Sequence, residues 1–225
     1  MTQAEPTTEE AALFDSGPME AMVKVNHAYA RNSKARTPKV TVHPSLNMNQ
    51  PMQIPADYGY VVMSTAIVGF VQFGIGGSTM GHRKIFGTEE FKNKKEVQAL
   101  QEEHKKATGG EIDPLGYPDM GNGRYAQLLS YADWLTFNKA QRIHYSMVEV
   151  TGPVCASMVA TGLYYPRTVA ALGLSFTAGR ILYAMGYMTN PKNRAVGAIV
   201  ADLSFFAIWV ASFVGGLTAT GWIKK

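Results

Sequence analysis

A basic, a hydroxyl and an acidic residue share one helical face inside a segment that is otherwise apolar enough for a membrane interior. Arg142, Ser146 and Glu149 are spaced i, i+4 and i+7, a spacing that places all three side chains on one side of a helix. Charge is costly in hydrocarbon, so such residues usually face a bundle interior or a polar ligand. The spacing therefore marks this face as a candidate binding surface.

A second polar face follows in the next apolar segment. Arg180, Tyr183 and Tyr187 are spaced i, i+3 and i+7, so they also lie on one side of a helix. Arg194 comes seven residues after Tyr187, beyond the helix-breaking pair Asn190-Pro191. We expect Arg194 at the mouth of any site that the other residues form.

Together the two faces offer the groups that a small zwitterionic molecule needs. Arginine forks bind carboxylates, and a glutamate such as Glu149 can bind an ammonium group. Spacing alone leaves a structural alternative open. Glu149 could instead form an ion pair inside the membrane with Arg142 or Arg180, with the tyrosines in the interfacial belt.

The elements that must position these residues are four membrane-spanning helices. The mean hydropathy of the 225-residue chain is only -0.07, because polar segments offset long apolar runs. A run of about 20 apolar residues crosses the hydrocarbon core as a helix. The predicted spans are Tyr58 to Met80, Trp134 to Tyr165, Thr168 to Met188 and Ala195 to Ile223. The sequence thus predicts an all-α, four-helix transmembrane bundle.

Two polar segments fall outside the predicted bundle. Residues 1–57 form a polar arm rich in proline, which favours extended chain, whereas residues 58–225 form the transmembrane domain. The domain carries an inserted charged loop at 88–116. Within this loop we predict a helix over Glu89 to Lys106, which ends at Gly109-Gly110.

The loop helix is expected to be exposed to solvent. Its apolar residues Phe91, Val97 and Leu100 are too few for a stripe that faces a core. Docking of a partner on this helix is the alternative interpretation.

Composition excludes several other classes of function. The net charge is +4, but no basic stripe with interleaved aromatic residues occurs outside the spans, so no nucleic-acid partner is expected. Cys155 is the one cysteine, which rules out an internal disulfide and any multi-cysteine metal site. We expect no bound metal.

Motifs in the second and third spans resemble the MAPEG family, the membrane-associated proteins of eicosanoid and glutathione metabolism. The second span reads Phe137-Asn138-x-x-Gln141-Arg142-x-His144-x-x-x-x-Glu149. The third reads Gly179-Arg180-x-Leu182-Tyr183-Ala184-x-Gly186-Tyr187. Tyr117-Pro118-x-Met120 is similar to a first-loop motif of the same family. The pattern is most similar to the branch of the third microsomal glutathione transferase.

This resemblance implies a fold of MAPEG type, a homotrimer and a glutathione site between neighbouring protomers. It implies that Arg142 and Glu149 hold charges of the glutathione backbone, and that Arg194 activates the thiol. The remaining glutathione-binding residues by resemblance are Ser146 on the first face, and Arg180, Tyr183 and Tyr187 on the adjoining protomer's half of the site. No other cofactor is implied.

The chain also departs from the family pattern. Ser146 stands where the family has asparagine, and Val150-Thr151-Gly152-Pro153 lacks the family's tyrosine after the glutamate. Two hypotheses follow. The first is a glutathione transferase or peroxidase acting on lipophilic substrates, in the endoplasmic reticulum by resemblance. The second is a catalytically silent accessory subunit of a larger membrane assembly, such as one in the mitochondrial inner membrane. This subunit would contact its partners through residues 1–57 and 88–116, and membrane lipid through the spans.

Overall fold

The computed structural model describes residues 54–223, so the predicted polar arm lies almost entirely outside the described residues. Within that range all regular secondary structure is helical. The six α-helices are α1 (Tyr58–His82), α2 (Glu89–Lys92), α3 (Lys95–Thr108), α4 (Tyr131–Gly162), α5 (Pro166–Thr189) and α6 (Arg194–Ala219). The long helices α1, α4, α5 and α6 pack together, which confirms the all-α membrane bundle.

Local sequence signals explain where these helices begin. Ser130 caps α4, because its hydroxyl oxygen accepts the backbone N–H of Asp133 at 3.2 Å. Pro166 occupies the first turn of α5, where a missing N–H costs nothing. The predicted span ends differ from the observed helix ends by up to four residues, and the largest difference is at the end of α6, which stops at Ala219.

Three of the long helices, α1, α5 and α6, are long and apolar enough to cross a membrane by length and composition. The fourth, α4, is 32 residues long but carries Lys139, Arg142 and Glu149 in its first half. It is held in the bundle by its apolar face. The core between the helices consists of Val61, Val68, Met147, Val154, Met158, Val169, Phe176, Ala201 and Ile208.

Helices α5 and α6 make the most extensive contact in the bundle, and glycines bring their backbones together. A Cβ placed on Gly179 would lie 2.6 Å from the Ala201 backbone nitrogen, and one on Gly197 would lie 2.6 Å from the Gly179 oxygen. Small residues at membrane helix interfaces permit this close approach. As a result, side chains next to these glycines on the two helices are close neighbours.

The long first loop, residues 83–130, folds into a compact unit that we call the loop module. Its helix is interrupted at Asn93 and Lys94, which separate α2 from α3. The expectation that this helix is merely exposed is wrong, because Phe91 and Val97 are fully enclosed. They belong to a second core with Phe86, Tyr125, Ala126 and Phe137. The end of α3 is as predicted, at Gly109 in the left-handed conformation.

Candidate functional site

Arg180 is the central residue of the candidate site. Its side chain is buried between α5 and α4, with 5% of the residue exposed. Nη2 donates to the Ser146 hydroxyl at 2.5 Å, and Nε lies 3.3 Å from the Met147 sulfur. The guanidinium carbon also lies 4.6 Å from the centre of the Tyr183 ring, which is within cation–π range.

The bond between Arg180 and Ser146 joins the two predicted polar faces within one chain. The short serine side chain leaves room for the guanidinium, and its hydroxyl also donates to the Ile143 carbonyl at 3.3 Å. Ser146 therefore positions Arg180 in this protomer.

Arg142 and Glu149 lie on the outer side of the described bundle. Both side chains are exposed. The ion pair of Glu149 with Arg142 or Arg180 is not formed, because neither arginine has a carboxylate within 4 Å among residues 54–223. Two charged side chains on α4 are thus exposed on the outer side of the bundle, where a neighbouring protomer, a ligand or lipid can contact them.

The third part of the site lies at the end of α5 and the start of α6. The rings of Tyr183 and Tyr187 are 5.7 Å apart between centres. The Arg194 guanidinium carbon lies 5.4 Å from the Tyr187 ring centre, and its Nη1 donates to the Pro191 carbonyl at 3.0 Å. Arg194 is exposed, so its remaining N–H groups are accessible to a ligand.

Several polar residues near the site were missed by the sequence reasoning. Lys139 donates to the Met188 carbonyl at 3.2 Å and so ties α4 to the end of α5. Asp202 on α6 follows Ala201, whose backbone lies close to Gly179, the residue before Arg180. Asp202 is an exposed acid in an otherwise apolar helix, and a charge within such an apolar run is the signal that could have identified it.

Gln141 and His144 are two further polar residues of α4 on either side of the motif arginine. Gln141 is 3% exposed, and neither of its amide atoms has a hydrogen-bond partner among the described residues. The His144 ring packs against α1, where a Cβ on Gly76 would lie 3.1 Å from Cε1. The close approach to Gly76 supports a packing role for the histidine.

The loop module contains a cleft of about 490 Å³. Apolar side chains such as Leu100 and Ile112 line most of it. At the rim, Arg124 holds Glu103 in a bidentate pair, with N–O distances of 2.7 and 2.8 Å. The hydrogen bonds and charge of Arg124 lower the pKa of the Glu103 carboxyl. Among residues 54–223, no cluster of ligating side chains suited to a metal ion is found.

The fold and the polar clusters define an integral membrane protein built on a four-helix bundle. A family model, that of the MAPEG family, matches residues 61–214. Because this match covers well over half of the chain, the protein belongs to the MAPEG family. Proteins of this family are membrane-embedded trimers that use glutathione as a substrate.

Proposed function

We propose that this protein is a glutathione-dependent transferase or peroxidase that acts on lipophilic substrates. The observation that carries the proposal is that the buried charge of Arg180 has no acidic partner close to it in the described part of the chain. Its buried guanidinium is bonded to a hydroxyl and a thioether, with no carboxylate within 4 Å in the described part of the chain. A buried charge is costly unless an opposite charge compensates it. A carboxylate of glutathione would supply that charge.

The other residues fit the remaining groups of the ligand. Arg142 is free to bind a second carboxylate, and Glu149 to bind the ammonium group. Tyr183 and Tyr187 offer ring faces and hydroxyls along the path between Arg180 and Arg194. Glutathione would therefore lie along the polar faces with its thiol towards the mouth of the site.

Arg194 is the residue suited to activate the thiol. A guanidinium beside the sulfur favours thiolate over thiol, and the thiolate is the nucleophile. In a transfer reaction the thiolate attacks an electrophilic carbon, a C–S bond forms, and the leaving group departs with its bonding pair. In the peroxidase reaction two glutathione molecules reduce a lipid hydroperoxide to the alcohol and water and become the disulfide. The bilayer supplies the apolar substrate in both cases, and the endoplasmic reticulum is the proposed location.

The alternative function is that of a silent accessory subunit in a larger membrane assembly, with the mitochondrial inner membrane as the proposed location. The observation that favours it is the loop module, which has a buried core shared with Phe137 of α4 and an open cleft. Residues 88–116 of this module, together with residues 1–57, would then contact the partners. A homotrimer after mild detergent extraction supports the enzyme, whereas one copy within a hetero-oligomer supports the accessory role.

Replacement of Arg194 tests the enzyme directly. Arg194→Ala should reduce thiolate formation, followed by ultraviolet absorbance on mixing with glutathione, and should keep the affinity within about tenfold of wild type. Arg142→Ala should weaken the affinity itself by about tenfold or more, because it removes a charge-assisted contact. Lys192→Ala is the control, since Lys192 is an exposed cation two residues from Arg194. Wild-type protein that binds no glutathione at millimolar concentration would contradict the proposal.

A further inference from the structure

A groove of about 450 Å³ lies between α1 and α5, apart from the candidate site. Both helices are long and apolar enough to cross a membrane. On each helix the residues that line the groove are spaced i, i+3, i+4 and i+7, so each set forms one face of about two turns. The lining residues are Tyr60, Met63, Ser64 and Ile67 of α1, and Arg167, Ala170, Ala171 and Leu174 of α5.

The sizes of these side chains suit an alkyl chain. Ser64 and Ala170 are small and buried at the floor of the groove, whereas Tyr60 and Met63 are large and about half exposed at its walls. The Ser64 hydroxyl donates to the Val61 carbonyl of its own helix at 3.1 Å, so its polar atom is already satisfied. An apolar chain can therefore cover this floor without leaving a buried polar group unpaired.

An ion pair stands at the mouth of the groove. Arg167 is in the first turn of α5, and Asp57 directly precedes α1. Arg167 Nε lies 2.8 Å from Asp57 Oδ2, and Arg167 Nη2 donates to Asp57 Oδ1 at 3.3 Å. The arginine side chain is 79% exposed and the aspartate side chain 35%, so both charged groups remain accessible. The ends of two spans thus present a cation and an anion side by side at the level of the lipid headgroups.

Charge complementarity identifies the occupant of the groove. A guanidinium binds a phosphate, and a carboxylate accepts hydrogen bonds from an ammonium group. A headgroup that carries both charges matches the pair of Arg167 and Asp57. An anionic headgroup without an ammonium would instead place its negative charge beside the Asp57 carboxylate. Pockets with basic residues between membrane helices are known to bind lipid headgroups.

The groove also has the depth and position that a lipid needs. Leu174 lies seven residues after Arg167, so the groove extends about 10 Å from the mouth into the hydrocarbon, at 1.5 Å per residue. Arg167 lies at the start of the 24-residue helix α5, whereas Arg194 follows its end. The groove therefore opens at the membrane surface opposite to the mouth of the candidate site.

We propose that the groove between α1 and α5 is a binding site for one molecule of phosphatidylethanolamine. The phosphate of this lipid binds Arg167, its ammonium binds Asp57, and one acyl chain fills the groove. The bound lipid covers the gap between the two helices at their starts. This inference does not depend on glutathione, because none of the residues of the candidate site lines the groove.

Native mass spectrometry of the full-length protein in detergent tests the headgroup contacts. The probes are phosphatidylethanolamine and phosphatidylglycerol with the same acyl chains. The wild type should bind phosphatidylethanolamine more tightly, and Arg167→Gln should weaken this binding by about tenfold, because it loses a charge-assisted contact with the phosphate. Asp57→Asn should remove the preference for phosphatidylethanolamine. Lys192→Gln is the control and should bind like wild type, since Lys192 is an exposed cation beyond the other end of α5.

Filling the groove tests the acyl-chain contact. Ala171→Leu places a larger side chain in the groove and should weaken the binding of both lipids by about tenfold, because two or more CH₂ groups of the chain lose their contact. Ala178→Leu is the matched control. Ala178 is exposed two turns further along α5 and does not line the groove.

Each of the other outcomes contradicts the assignment. Wild-type protein that binds neither lipid, or binds both equally, would overturn it. Binding that neither Arg167→Gln nor Ala171→Leu weakens would place the lipid elsewhere. Arg167→Lys keeps the charge and covers the case in which the glutamine variant does not fold, and it should retain the preference for phosphatidylethanolamine. A second copy of the chain in the groove would appear as a smaller oligomer fraction in Ala171→Leu with unchanged lipid binding.

Discussion

At the residue scale, Arg83 shows how one side chain holds distant parts of the loop module together. It follows the last residue of α1 and is 1% exposed. Its guanidinium donates to the Asp119 carbonyl at 2.6 and 2.8 Å and to the Leu115 carbonyl at 3.3 Å. It also lies 3.7 Å from the centre of the Tyr117 ring.

Loss of this anchor should destabilise the loop module more than the bundle. Arg83→Met should lower the free energy of local unfolding of residues 83–130 by about 1.5 to 3 kcal/mol, the typical contribution of a hydrogen bond to a charged group. Amide hydrogen exchange measures this unfolding segment by segment. Lys84→Met is the matched control, because Lys84 is the exposed neighbour. Equal protection of the module in both variants would show that Arg83 is not the anchor.

Only some of the contacts between individual residues of the site could be predicted from the sequence. The spacing predicts that Arg142, Ser146 and Glu149 lie on one side of their helix. It can do so because helical periodicity is a local property of the chain. Spacing does not fix the rotation of the helix about its axis, since that depends on packing against three other helices. For this reason the Arg180–Ser146 bond could not be predicted.

At the element scale, the contact of α5 with α6 depends on Gly197. A Cβ at this position would collide with the backbone nitrogen of Tyr183 and lie 2.6 Å from the Gly179 oxygen. Both obstacles are backbone atoms, so no side-chain rotation relieves the clash. The positions of Tyr183 and Arg180 in the site thus depend on a residue without a side chain.

Alanine substitution in α6 should therefore have opposite effects at two glycines. Gly197→Ala should destabilise the protein by more than about 1 kcal/mol, a cost comparable to overpacking a core. Gly216→Ala is the matched control, since a Cβ there meets nothing within 4 Å, and alanine is the better helix former by about 1 kcal/mol. Thermal unfolding in detergent should show a lower midpoint for the first variant and an equal or higher one for the second. A lower midpoint for both would argue against the close crossing.

The elements themselves were predictable to different degrees. The spans could be predicted because a run long enough to cross hydrocarbon is visible in composition alone. The burial of Phe91 and Val97 could not, because their partners Phe86, Tyr125 and Phe137 come from other parts of the chain. Three apolar residues within one helix do not reveal a core to which four separate segments of the chain contribute.

At the scale of the whole molecule, the exposed charged side chains of α4 must be shielded from lipid. Arg142 and Glu149 face outwards from the described protomer, and a charged side chain at the centre of a membrane helix costs about 2.5 to 3.5 kcal/mol on insertion scales. Neighbouring protomers in a closed, symmetric oligomer would remove this face from lipid. The family's trimeric assembly provides such an arrangement.

Cross-linking can test whether this face of α4 lies between protomers. Gly152 is exposed three residues beyond Glu149, and a Cβ there meets nothing within 4 Å, so Gly152→Cys should fold normally. In a Cys155→Ser background, a short bis-maleimide should link Gly152→Cys protomers into covalent dimers several-fold more efficiently than protomers with Gly216→Cys, a glycine with equal space on α6. The reason is that α4 would face its copies, whereas the exposed side of α6 would face lipid. Equal yields for the two variants would mean that Arg142 and Glu149 are covered by something other than a second copy of this chain.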